Sequence, residues 1–117
     1  MWICLNNAFL SIVANPADAA TLLVRARRAG DIDAVFGAGV EVVTLPGRDY
    51  QFRAFLPRDV VATAVGEALK AIDYPNFKNS VDDDALHGAY AKVWTVMAGL
   101  QEIPPYGTAP RKGFRAP

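Results

Sequence analysis

Three arginines and a phenylalanine offer this chain its sharpest chemistry. In residues 22–28, "LLVRARR", strand alternation puts Leu22, Val24 and Ala26 on one side and Arg25 and Arg27 on the other. A second alternating run, residues 50–56, sets Tyr50, Phe52, Ala54 and Leu56 against Gln51, Arg53 and Phe55. If these two strands lie near each other, Arg25, Arg27, Arg53 and Phe55 share one face. Guanidinium groups interleaved with aromatics can hold single-stranded nucleic acid by phosphate pairing and base stacking. The same arginines can equally keep a sheet face soluble, or pair with Asp31, Asp33 and Glu41.

The other chemical candidates are weaker. His87, near Asp83 and Asp84 on a helix, has the right type for a general acid or base. Neither a nucleophile nor a second histidine completes a hydrolytic arrangement, so its role reads as structural. Asp82, Asp83 and Asp84 lack the alternate spacing and glycine of a calcium loop, and a helix N-terminus explains them. One cysteine and one histidine allow neither an intrachain disulfide nor a cysteine/histidine metal cluster. The "GAG" at Gly37 to Gly39 precedes a strand rather than a helix and reads as a turn. Cys4, inside an apolar strand, reads as a small core residue. The loop "YPNFKNS" sets Tyr74, Phe77 and Lys78 between two helices, where they either meet a partner or plug the gap between helix ends. No catalytic residue, metal or cofactor is assigned.

The elements that must position these groups follow from pattern. Residues 2–5 and 9–13 are short apolar runs separated by Asn6-Asn7-Ala8, and asparagine tolerates the left-handed backbone of a tight turn, so they form a hairpin. Residues 22–28 make a third strand. A short helix over residues 32–36, capped by Asp31, precedes strands at 41–45 and 50–56, which pair through the turn Pro46-Gly47-Arg48-Asp49. A helix from about residue 58 to 73 carries Val61, Val65, Ala68 and Ile72 at helical spacing. Pro75 ends that segment, and Ser80 or Asp82 caps a last helix with Leu86, Ala89, Tyr90, Val93, Met97 and Leu100 on its buried side and Trp94 at the edge. The predicted fold is α+β: a mostly antiparallel sheet (β-β-β-α-β-β) with two long C-terminal helices packed on one face, leaving the arginine face wet. It occupies residues 1–102 as one domain, with residues 103–117 a basic Pro/Gly-rich tail.

Composition agrees with a globular domain. The chain has 117 residues, 52% hydrophobic and 21% charged, and its twelve basic residues balance twelve acidic ones. Zero net charge favours no polyanionic partner in itself, so only local clusters count. No basic start followed by a continuous apolar run marks a leader, and no 18-residue apolar stretch marks a span. A cytoplasmic protein without a membrane partner is the expectation.

The strings "MWICLNNAFLSIV", "LLVRARRAGDIDAVF", "DYQFRA", "IDYPNFKNSV", "LHGAYAKVW" and "QEIPPY" resemble a family of small uncharacterised bacterial proteins also met in phages and mobile elements. The resemblance runs from Met1 to about Tyr106. It implies a setting and no established activity. In that setting the expected role is a non-enzymatic protein-binding module, such as an inhibitor of a host defence system of the anti-CRISPR kind. Its surface would draw on Arg25, Arg27, Arg53, Phe55, Tyr74, Phe77 and Lys78. The alternatives are single-stranded nucleic-acid binding through the arginine face and a small enzyme using His87 on an anionic substrate. An exposed sheet edge also allows a homodimer.

Overall fold

The computed structural model describes residues 1–106. Five strands, β1 (Trp2–Cys4), β2 (Phe9–Ala14), β3 (Thr21–Ala26), β4 (Val43–Thr44) and β5 (Phe52–Pro57), form one sheet in the order β1-β2-β3-β5-β4, with every pairing antiparallel. The helices are α1 (Asp31–Phe36) after β3, α2 (Arg58–Lys70) after β5, and α3 (Asp84–Ala98), which a single 3₁₀ turn (Lys78–Ser80) precedes. The α+β class and strand sequence are those the pattern predicts. Most of the basic tail, residues 107–117, lies outside the described residues. No described helix is long and apolar enough to cross a membrane.

Alternation explains the core. The register aligns Leu10 with Ala26 and Phe52, Ile12 with Val24 and Ala54, and Ala14 with Leu22 and Leu56. These side chains therefore rise on one face, where Ile32 of α1 and Val61 of α2 close over them. Leu10 and Val24 are fully buried, each stabilising the fold by about 2 kcal/mol. A second, smaller cluster joins Val81, Leu86 and Tyr90 to Phe9 and Phe77. Phe9 has the opposite strand parity to Leu10, so α3 does not lie beside α2 on the main core face. It meets the hairpin end of the sheet from the other side.

Several local expectations need correction. The hairpin forms, closed by the Leu5 N–H donating to the Ala8 carbonyl at 2.9 Å, yet neither asparagine takes a positive φ. A four-residue loop needs no left-handed residue, unlike a two-residue one. The left-handed position is instead Tyr50 (φ 53°), which leaves the strand that its alternation had assigned it. In the preceding turn Pro46 and Gly47 (φ 79°) supply the two conformations a type II turn needs, and the Arg48 N–H donates to the Leu45 carbonyl at 3.2 Å. Helix α1 starts at Asp31 with Gly30 as its cap, while Asp83 caps α3. Helix α2 stops at Lys70 rather than at residue 73. Cys4 is exposed, not in the core, because β1 is an edge strand too short to be covered.

Candidate interaction surface

The arginine face exists, and a loop lies on it. Arg25 and Arg53 are direct cross-strand partners on the face opposite Leu10, Val24 and Ala54, with exposed Phe55 one pair along. Two like charges directly opposite would repel, so each is turned to a separate partner. The Arg25 terminal nitrogen donates to the buried Ser11 Oγ at 2.7 Å, and its Nε is buried with no acceptor. Arg53 donates to the carbonyls of Tyr50 (3.2 Å) and Asp49 (2.8 Å). Arg25 and Arg27 both sit against the ring of Tyr50, at 4.5 and 4.0 Å from its centroid. Arg27 also pairs with Asp49 at 3.0 Å, an exposed ion pair of small net value. Together these contacts hold Tyr50 down: it is 5% exposed despite a backbone conformation that costs a non-glycine residue on the order of 1 kcal/mol. A carboxylate and an aromatic ring of the chain itself thus lie against these arginines.

Arg28, the residue beside that pattern, organises the other end of the sheet. Asp31 is buried and accepts hydrogen bonds from the Phe9 N–H (3.1 Å) and from Arg28 Nε and its terminal nitrogen (3.3 and 2.9 Å). The other terminal nitrogen of Arg28 reaches Asp83 at 2.9 Å, and Asp83 caps α3 by accepting the Leu86 N–H at 2.8 Å. That N–H bond, with Arg28 assisting, lowers the Asp83 carboxyl below its ordinary value. The bond to Asp31 raises the Arg28 guanidinium above its own. One turn further on, the Tyr90 hydroxyl lies 3.0 and 2.9 Å from the Leu5 and Ala8 carbonyls and shares its proton between them. Burial pushes that hydroxyl well above the usual tyrosine value.

This docking leaves a groove between the hairpin and α3. Its first part, about 290 Å³, is lined by Cys4, Phe9, Leu86, Ala89, Tyr90 and Val93 together with Arg27, Arg28 and Asp31. An adjoining part, about 400 Å³, shares Cys4, Tyr90 and Val93 and continues to Pro75, Phe77, Lys78 and Trp94. Of the two roles that its composition allowed, the loop of Tyr74, Phe77 and Lys78 visibly fills the second. Phe77 packs on Tyr74 (5.8 Å) and Tyr90 (5.3 Å) and plugs the helix junction. Lys78 stands over the Trp94 ring at 4.5 Å rather than on a carboxylate. Arg27 and Lys78 thus line adjoining parts of one groove, while Arg25 and Arg53 face the loop and Phe55 stays apart from both. Partial burial raises the Cys4 thiol above its ordinary value, a hydrogen bond with Tyr90 opposing it. His87 lines neither part of the groove.

One surface was misassigned by periodicity. Leu86 and Tyr90 are each 5% exposed, yet Val93, Met97 and Leu100 on the same stripe are 48%, 55% and 77% exposed, and Val96 is 73%. The helix period identifies an apolar stripe without saying what covers it. Among the described residues, no group of three or more His, Cys, Asp or Glu side chains is placed to hold a metal ion. No protein-family model, curated protein or solved structure matches this chain.

Proposed function

We propose that this chain is a non-enzymatic protein-binding module that acts through the groove between its hairpin and α3. The observation that carries the reading is the groove itself: apolar walls shared by Cys4, Tyr90 and Val93, with Arg27 and Arg28 near one end and Lys78 near the other. Such a trough suits a partner segment with apolar side chains between carboxylates, since apolar burial supplies affinity and flanking charge supplies register. In the mobile-element setting that the sequence resemblance implies, the partner is a host protein in the cytoplasm and the role is inhibition by occupancy. The nucleic-acid alternative draws less support, because Arg25 and Arg53 direct their donors to Ser11, Tyr50 and Asp49. The enzymatic alternative draws less still, with His87 away from the groove that Arg27 and Arg28 line.

Affinity capture from the host with wild type and with Arg27→Glu/Lys78→Glu tests the reading. A partner held by wild type and weakened at least about tenfold by the double reversal supports it, tenfold being the loss of roughly one good charged contact. Equal capture by both proteins overturns it. So does salt-sensitive retention of single-stranded RNA with no protein captured.

A further inference from the structure

We infer that the partner segment binds as an extended strand added to the free edge of β1, between the α3 groove and a second groove against α2. The inference rests on the groove reading above and names how that groove is filled. Backbone parity comes first. The Met1 amino group donates to the Ile12 carbonyl at 2.7 Å, the Ile12 N–H donates back to Met1 at 2.8 Å, and the Leu5 N–H donates to Ala8. Such inward pairs alternate along an antiparallel ladder, so Trp2 and Cys4 turn their N–H and C=O groups away from β2. β1 ends the sheet, and among the described residues no further strand meets those groups. Edges that avoid pairing carry lysine, proline or an inward charge, and "MWICL" carries none of these.

The side chains agree. Successive residues of a strand face opposite sides, and Cys4 lines the α3 groove while Met1 and Ile3 line the other. That second groove, about 510 Å³, lies between the hairpin and α2, with Val65 and Leu69 on its helix side. An added strand points alternate side chains to the same two sides, so one set enters each groove. Gly66 of α2 also lines the second groove. Glycine is a poor helix former, and no described residue lies within 4 Å of where its Cβ would be, so no contact within the domain requires it. Its missing side chain keeps the groove open. Arg27 and Lys78 on the α3 side, and Arg58 on the α2 side, suit an apolar strand with carboxylates at its ends.

Amide hydrogen exchange of the 1–117 chain, read by NMR, tests this with a short acetylated peptide of alternating valine and isoleucine between aspartate pairs. In the free protein the Trp2 and Cys4 amides exchange faster than that of Leu5, and the peptide slows both at least about tenfold. N-methylation of one alternate set of peptide amides abolishes binding, and of the other set does not, because a strand shows its neighbour only every second N–H. Trp2→Pro removes an outward N–H and no ladder bond, and weakens the peptide at least about tenfold. Trp2→Ala keeps that N–H and most of the affinity. Gly66→Leu fills the second groove and weakens the peptide several-fold without lowering stability. Trp2 and Cys4 amides unprotected at millimolar peptide, or equal losses in Trp2→Pro and Trp2→Ala, overturn the inference. So does protection that rises with protein concentration alone, which places a second copy on the edge. A captured host partner lost with Arg27→Glu/Lys78→Glu but indifferent to Trp2→Pro keeps the groove reading and overturns the strand. One lost with Trp2→Pro but indifferent to the reversal keeps the strand and overturns the groove reading.

Discussion

The inner and outer halves of α3 are built from similar residues and meet opposite fates. The inner half is tied at three points: Asp83 to Arg28 and to its own first turn, Leu86 to Val81 and Tyr90, and the Tyr90 hydroxyl to the hairpin carbonyls. The outer half continues the same apolar stripe through Val93 and Met97 into solvent, and Leu100 in the turn beyond it is exposed as well. A stripe covered by its own domain stabilises the fold. An uncovered one is free to bind, and large exposed apolar patches are what interaction surfaces require.

Substitutions should separate the halves by the size of their effect on stability. Leu86→Ala, which opens a cavity beneath the inner half, should destabilise by about 3 kcal/mol in urea unfolding. Arg28→Ala leaves buried Asp31 without its cation and uncouples Asp83, for a loss of about 2 kcal/mol. A loss as small as that of a surface residue would show that Arg28 is not the clamp described.

Tyr90→Phe should cost about 1 kcal/mol, the net value of its hydroxyl contact. Because burial raises the Tyr90 pKa above its ordinary value of 10.0, the neutral hydroxyl's contribution is complete below that pH and is lost as pH rises beyond it. The Phe variant should therefore show a flatter alkaline limb. The Asp83 pKa is lowered, so its contribution is present above its ordinary value of 3.8 and fades as pH falls through the lowered one. Asp83→Asn keeps a cap and should remove that part of the acid sensitivity. Smallest of all, Val96→Glu, at a largely exposed site, should change stability by less than about 0.5 kcal/mol in the same unfolding. A large loss there would erase the contrast between the halves.

Much of the fold was legible because alternation and helical spacing are local properties. Residues 22–28 and 50–56 declared which side chains share a face, and Arg25 does pair with Arg53 across it. Pro46-Gly47 declared a turn. What lay on the arginine face was not legible. Tyr50 follows the strand's alternation in sequence, and only three arginines and a turn hold it in a left-handed conformation over the other side. Arg28 was passed over for a similar reason: nothing local shows that Asp31, three residues on, is buried and that Asp83 waits 55 residues away.

The amino-acid order by itself therefore determined the periods: which residues extend, which coil, and which side of each element is apolar. Tertiary structure alone decided what each apolar or charged side faces. That division has a physical cause, since backbone periodicity is set by near neighbours, whereas burial depends on which distant segment arrives to displace water. Along α3 the apolar stripe runs on from Leu86 through Tyr90 and Val93 to Met97, yet its full burial ends at Tyr90.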